Sequence, residues 1–303
     1  MYDLIIVGAG PAGITAAIYA ARKRLNLLVI TKDLGGQAAL SGDVENYTGY
    51  QYITGFELTE KFLEHMKKFN IELREAEEVR KVERIKNGFR VITDMAGYEA
   101  KSLILASGAR PRTLNIPGET EYKNRGVTYC ATCDAPLFLG KDVAVIGGGN
   151  SALDAALQLT KIANKIYLIT KYSSYRGETV MLEKVEASEK VTILYNTDTL
   201  EILGDKTVSS IRVRRNGEQK TIDVQGVFIE VGYTPNSEFV QGFVNLNECG
   251  EVVIDSHNRT NIPGFFAAGD VTNVAEKQII IAAGEGSKAS LSAFEYLSHL
   301  SES

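Results

Sequence analysis

Two glycine-rich corners constrain this chain more than any other feature. The first is Gly8-Ala9-Gly10-Pro11-Ala12-Gly13. It follows Leu-Ile-Ile-Val, an unbroken apolar run suited to a strand buried on both faces. Residues 14–24 are alanine-rich and helix-forming, and 27–30 are a second apolar run. Strand, GxGxxG, helix, strand is the order in which each glycine has a physical task. The first permits a tight turn, the second lets the backbone approach a pyrophosphate, and the third lets helix and strand pack closely. The helix start then offers free N–H groups to the phosphates.

The corner occurs twice. Residues 143–146 are another apolar strand, Gly147-Gly148-Gly149-Asn150-Ser151-Ala152 reads GxGxxA, 155–162 continue a helix and 166–169 form the next strand. The separation of Gly8 from Thr31 equals that of Gly147 from Thr170, and both second strands end Ile-Thr-Lys. Such equal spacing predicts an α/β chain with two Rossmann-like dinucleotide-binding units. The acid expected about 20 residues on, for a ribose hydroxyl, is replaced by Thr31 and Thr170.

Just before the second corner stands Tyr129-Cys130-Ala131-Thr132-Cys133-Asp134. Two cysteines three apart can close a small disulfide, and the adjacent acid can supply a proton. The chain has three cysteines, too few for a disulfide framework. A structural zinc site needs four ligands, and one CxxC with three scattered histidines does not provide them. Redox use is the reading that remains. Cys249, beside Gly250, reads as a small residue in a turn, and His65 and His299 as solvated helix residues.

The 303 residues suit two domains. A net charge of -5 gives no support for nucleic-acid or anionic-membrane binding. No apolar run approaches a membrane span, and the opening residues lack a basic n-region, so a cytoplasmic enzyme is expected.

Between the corners, 34–37 (Leu-Gly-Gly-Gln) reads as a tight backbone segment and 56–69 as an amphipathic helix with Leu58, Phe62, Met66 and Phe69 on one stripe. Strands are predicted at 79–84, 89–93 and 102–106, with a turn at Asn87-Gly88. Beyond the second corner, 178–190 reads as a helix. Residues 191–195, 209–214, 227–231 and 252–255 read as strands, 265–270 as a strand ending in a Gly-Asp corner, and 278–290 as a small-residue-rich segment leading into a C-terminal helix that runs to about 300. Breaks at Arg110-Pro111-Arg112 and Gly232-Tyr233-Thr234-Pro235-Asn236 predict that the second unit is inserted in the first. Residues 1–111 with 240–303 would form one domain, and 112–239 the other.

Taken in order, GAGPAG, GGQ, ENYTGY, CATCD, VIGGGNSA, VGYTPN and FFAAGDV resemble the low-molecular-weight thioredoxin reductases over essentially the whole chain. The tail from Lys277 resembles the flavoprotein of alkyl hydroperoxide reductase, which carries an extra N-terminal CxxC module. This chain starts at the first strand, so the resemblance implies a separate thioredoxin- or glutaredoxin-like carrier as partner. It also implies FAD in the first domain, on Gly8, Gly10, Ala12, Gly13, Gly36, Gln37, Asn46, Gly108, Gly269, Asp270, Gln278 and Ile279. Asp270 would bond the ribityl chain. Ser107 stands where many relatives have threonine.

The resemblance further implies a nicotinamide cofactor on Gly147, Gly149, Asn150, Ser151, Ala152 and Gly232. NADPH-using members carry His-Arg-Arg and a further Arg after this strand. This chain has Thr170-Lys171-Tyr172 and later Arg176, so Lys171 and Arg176 match cationic places while Thr170 and Tyr172 do not. NADH users tend to carry an acid at the Thr170 place. The donor is therefore open among NADPH, NADH and a ferredoxin.

As the resemblance implies it, Cys133 faces the flavin, Cys130 attacks the carrier's disulfide, and Asp134 protonates the leaving thiolate or else serves as a helix N-cap. The two breaks suit hinges for domain rotation, and the family is usually a homodimer. A ferredoxin-driven enzyme, a redox-sensing flavin-binding regulator and a peroxide-forming oxidase are the alternatives.

Overall fold

The computed structural model describes residues 1–41 and 43–302, with side chains described except at 43, 301 and 302. It divides into two compact units: the chain up to Arg110 together with that from Thr234 on, and Pro111–Tyr233. The sequence reading placed the return crossing in the break at 232–236 and the domain boundary at 239/240. The division falls earlier because the short strand Tyr233–Pro235 is itself the crossing, pairing with Ala109–Pro111.

The first unit is built on a seven-stranded sheet. Its order is Glu72–Arg74, Leu27–Leu34, Tyr2–Ala9, Gly97–Leu105, Gly88–Thr93, Val79–Ile85, with Phe265–Ala267 also pairing with Gly97–Leu105. The central strands are parallel, in register Ile5↔Leu28 and Ile5↔Leu103. Leu4, Ile5 and Ile6 are all fully buried, so successive side chains enter cores on opposite faces of the sheet. Each such side chain contributes roughly 1.5–3 kcal/mol, and this explains why the strand reads as a continuous apolar run.

One face is covered by the helices Pro11–Arg22 and Ile279–Glu302. They approach at small residues: a Cβ on Gly286 would lie 2.0 Å from the Ala12 carbonyl oxygen. The helix Gly55–Lys67 is started by Thr54, whose hydroxyl accepts the Glu57 N–H while the Glu57 carboxylate accepts the Thr54 N–H. Of its expected stripe, Leu58 and Met66 are buried, and Leu63 joins them.

The second unit has a five-stranded parallel sheet, in the order Val127–Thr128, Gly226–Ile229, Asp142–Ile146, Lys165–Ile169, Val191–Leu194. Asn150–Leu159 and Thr179–Glu186 are its longer helices among the described residues. A three-stranded antiparallel sheet, Thr197–Gly204, Val208–Arg215, Glu218–Asp223, completes it. The fold is thus α/β with two Rossmann-like units, the second inserted in the first. Among the described residues no helix is long and apolar enough to cross a membrane.

Two local expectations change and one gains detail. Residues 252–255 are not a strand: Val252 makes only isolated bridges, to Leu246 and Thr272, and Val253 is exposed. Val-Val-Ile has the composition of a strand, but no neighbouring strand offers it a ladder. Residues 34–37 form the tight segment expected, in which Gly35, at φ +79°, caps the short helix Gly36–Ala39. The expected Asn87-Gly88 turn falls one residue earlier, because Gly88 opens the strand Gly88–Thr93 at φ +144°.

Asn258 ties the end of the sheet to the long helix. It is fully buried at φ +61°, and its amide donates to the Ala267 carbonyl (2.9 Å) and to Glu285. Asn258→Ala removes both bonds and keeps the left-handed backbone. We predict a loss of about 2 kcal/mol or more, read as a lower urea midpoint.

Candidate active site

The two glycine corners share a division of labour among their glycines. At the first, a Cβ on Gly8 would sit 2.3 Å from the Ala106 oxygen, and one on Gly13 would sit 1.9 Å from the Gly8 oxygen. These two glycines are required by packing of the chain on itself. Gly10 is different. Its φ of −77° suits any residue, and a Cβ there would meet nothing nearer than 3.9 Å. The room beside Gly10, at the start of the helix Pro11–Arg22, faces outward. At the second corner a Cβ on Gly147 would sit 2.2 Å from the Glu230 oxygen, Ala152 is fully buried, and a Cβ on Gly149 would meet nothing within 4 Å. In both corners the middle glycine is thus the one that keeps space clear of protein, ahead of a helix whose first N–H groups face it.

The missing acid has a structural explanation at the first corner. Thr31 is buried, and its hydroxyl accepts the Ala9 N–H at 3.2 Å and donates to the Asp33 carbonyl. It closes the ends of two neighbouring strands. Thr170 is likewise buried, with its Oγ1 accepting the Tyr172 N–H at 3.3 Å.

Around the first corner the unit gathers several expected residues. Gly36 faces Gly10, a Cβ on it lying 3.6 Å from the Gly10 Cα, and Gln37 follows in the short helix Gly36–Ala39. The Asn46 amide donates to the Gln278 side-chain oxygen at 3.2 Å, and Ile279 packs on Val44, Ile53 and Leu58. Gly108, at φ +67°, has open space where a Cβ would be. Gly269, at φ +76°, would place a Cβ 3.0 Å from the Ala12 Cβ. Asp270 follows it, in the turn Gly269–Val271. Burial raises the Asp270 carboxyl above its ordinary range, with Lys277 opposing. No hydrogen bond reaches that carboxyl among the described residues, so it keeps its acceptors for another group. Asn236 was not singled out by sequence; its amide donates to the Ser107 carbonyl (2.8 Å), and its own carbonyl accepts the Ser107 hydroxyl (2.7 Å).

At the second corner the segment after the strand Lys165–Ile169 folds against the loop. The Arg176 N–H donates to the Gly148 carbonyl at 2.9 Å. The Arg176 guanidinium lies 4.2 Å from the Tyr172 ring centre, and the Lys171 ammonium 5.4 Å from it. A Cβ on Gly148 would touch that same ring at 2.8 Å. Lys171, Tyr172 and Arg176 therefore gather at one edge of the glycine loop. Asn150 accepts the Glu178 N–H at 2.8 Å, Ser151 follows it in the helix Asn150–Leu159, and Gly232 sits at φ +93° with open space beside it.

Cys130 and Cys133 form a disulfide, with their Cα atoms 5.3 Å apart. Cys130 caps the short helix Ala131–Asp134, its sulfur accepting the Cys133 N–H at 3.2 Å. Both cysteines and Asp134 are partly buried. Thr128 organises the loop: its hydroxyl accepts the Cys130 N–H at 3.2 Å and donates to the Asp134 carboxylate. Asp134 closes this helix and makes no side-chain cap for the turn Ala135–Phe138.

The sequence profile of pyridine nucleotide-disulphide oxidoreductases matches residues 2–286. The chain belongs to that family. Curated relatives include a Bacillus subtilis protein named NADH dehydrogenase, 41% identical over 98% of this chain and 58% of its own length. A component of the Escherichia coli alkyl hydroperoxide reductase is also 41% identical, over 98% of this chain and 58% of that protein. The chain spans little more than half the length of these relatives. Among solved structures, thioredoxin reductase from Streptococcus pyogenes MGAS5005 is 39% identical with a TM-score of 0.93, each chain covered to 99%. That from Giardia duodenalis is 34% identical with a TM-score of 0.92, over 98% of this chain and 99% of its own. Members of this oxidoreductase family bind FAD and a pyridine nucleotide.

One residue beside the disulfide loop escaped the sequence reading. Glu230 ends the apolar strand Gly226–Ile229, and its carboxyl accepts the Ala131 N–H at 3.3 Å. Burial, with Asp154 adding to it, pushes its pKa up to about 8, against the ordinary 4.5. The available signal was an acid at the carboxyl end of a buried parallel strand, where such folds place ligands.

The folded chain holds a proton on Glu230 that the unfolded chain releases near 4.5, so this stability is complete below that pH and is lost as pH rises through about 8. Glu230→Gln removes the dependence. We predict that the wild type loses more thermal stability than this variant between pH 5 and pH 9, measured by calorimetry.

Proposed function

We propose that the chain is a flavin-dependent disulfide reductase. It carries electrons from a nicotinamide donor, through FAD and Cys130–Cys133, to a thioredoxin- or glutaredoxin-like carrier protein. The observation that carries this reading is the disulfide closed within four residues of a loop, in the unit that also holds the second glycine corner. The family membership, the two thioredoxin reductase structures and the relative named NADH dehydrogenase support it.

FAD, when bound, takes a hydride and returns an electron pair. The residues fit it. The free space at Gly10 and the start of the helix Pro11–Arg22 suit its diphosphate, with Gly8, Ala12 and Gly13 shaping the corner. The Asp270 carboxyl, with its acceptors open, suits a ribityl hydroxyl. Gly36, Gln37, Asn46, Gly108, Gln278 and Ile279 would line the ring and nucleotide. Gly147, Gly149, Asn150, Ser151, Ala152 and Gly232 would hold the nicotinamide nucleotide, with Lys171 and Arg176 at its adenosine end.

The chain's own residues then perform thiol–disulfide exchange. Cys130, as thiolate, attacks the carrier's disulfide to give a mixed disulfide, and Cys133 displaces the reduced carrier. Asp134, held by Thr128, delivers the proton to the leaving thiolate. Hinge motion at the two crossings would let one loop serve both the flavin and a protein partner. The working form would be the homodimer that the resemblance implies.

Cys130→Ser should abolish carrier reduction while leaving reduction of bound flavin by the donor intact. Carrier reduction that survives in this variant would overturn the assignment. Stopped-flow bleaching of the flavin with NADH, NADPH and reduced ferredoxin identifies the donor. Bleaching by ferredoxin alone would replace the nicotinamide step, and the crowding of Tyr172 on Gly148 is the feature that would then explain it. If Lys171 and Arg176 read a 2′-phosphate, Arg176→Ala raises the KM for NADPH about tenfold or more and leaves that for NADH unchanged.

A further inference from the structure

The disulfide loop is flanked by two acids, and only one of them has been given a task. Asp134 belongs to the loop and is anchored by Thr128. Glu230 reaches the loop from the end of the strand Gly226–Ile229, and bonds the backbone N–H of Ala131, the residue that follows Cys130. Among the described residues it forms no ion pair with a lysine or arginine. The charged group acting on it from the neighbouring helix Asn150–Leu159 is Asp154, of like sign. Asp154 is exposed and accepts from the Gln158 amide at 2.7 Å, and that amide also reaches Thr132 at 3.4 Å. Glu230 is thus tied to the disulfide loop through Ala131, and the charge that acts on it from the helix is that of Asp154.

Disulfide exchange requires a thiolate. An ionised Glu230 beside the loop disfavours that thiolate by like-charge repulsion, and a protonated one does not. We propose that Glu230 is a positioning residue that couples the proton content of the Cys130–Cys133 pair to its own carboxyl, so that sulfur and carboxyl share one proton when the disulfide is open. The two groups then titrate as a pair rather than as independent sites. The raised proton affinity of the buried Glu230 carboxyl places this exchange where thiols also titrate. The inference rests on Cys130 and Cys133 being the redox pair.

The test uses dithiothreitol as reductant. Its two thiols close to a ring disulfide as the Cys130–Cys133 bond opens, and two electrons and two protons pass to the sulfurs. The reduced, FAD-loaded full chain is then alkylated with iodoacetamide from pH 6 to pH 9.5, and the rate at Cys130 and Cys133 is read by mass spectrometry. Glu230→Gln keeps an acceptor for Ala131 but cannot ionise. We expect its rate to equal that of the wild type near pH 6 and to exceed it about threefold by pH 9. Glu230→Asp should follow the wild type. Asp154→Asn, at an exposed helix position, should move the wild-type inflection to lower pH. If Glu230→Gln does not accumulate, that shift decides the matter, and an unshifted profile overturns the coupling. A rate ratio that stays flat across the range with both thiols released overturns the Glu230 coupling alone. Failure of dithiothreitol to release thiols at 130 and 133 overturns the redox pair and this inference with it.

Discussion

The structure depends on how closely a strand, a loop and a helix can approach at one corner. At Gly8, Gly13 and Gly147 a side chain would collide with carbonyl oxygens. That contact draws each helix start over the end of its sheet. It also aims the helix's free N–H groups at the space beside Gly10 and Gly149, which no side chain fills. Packing and open space are thus assigned to different glycines a few residues apart. The long helix Ile279–Glu302 extends the same principle, since Gly286 lets it lie against the Ala12 backbone.

Around these corners, uncharged hydrogen bonds complete the strand ends. Thr31 does so between the first two strands, and Asn258 does so at the Ala267 carbonyl of the last. Neutral groups suit the task, because a charge buried there would need a partner that the apolar sheet does not provide. Among the described residues, acids whose proton affinity burial raises stand at two such ends: Asp270 in the first unit and Glu230 in the second. Both hold protons more tightly than a free carboxyl. Polar groups of this kind, raised by burial at the ends of parallel strands, are what one expects where chemistry is done.

Much of this was legible in the residues because it rests on local pattern. The apolar run before each glycine corner, the alanine-rich helix after it and the CxxC pair are contiguous in sequence. Less was legible where an element depends on neighbours distant in the chain. Val252 to Asp255 carry strand-like side chains yet find no ladder. Glu218–Asp223 is largely polar and gave no strand signal, yet it pairs residue by residue with Val208–Arg215. Tyr172 read only as a departure from a cationic motif, and its ring turns out to cover Gly148 with Arg176 against it.

By itself the sequence determined the two glycine corners, the order of strands and helices through them and the close cysteine pair, since each is set by spacing along a few residues. Only the tertiary structure decided which glycines serve packing and which leave room for a ligand, because that depends on carbonyls contributed by other strands. It also decided that Glu230, 99 residues after Ala131, belongs to the disulfide loop. Burial and hydrogen bonding between remote segments exist only once the sheet has brought them together.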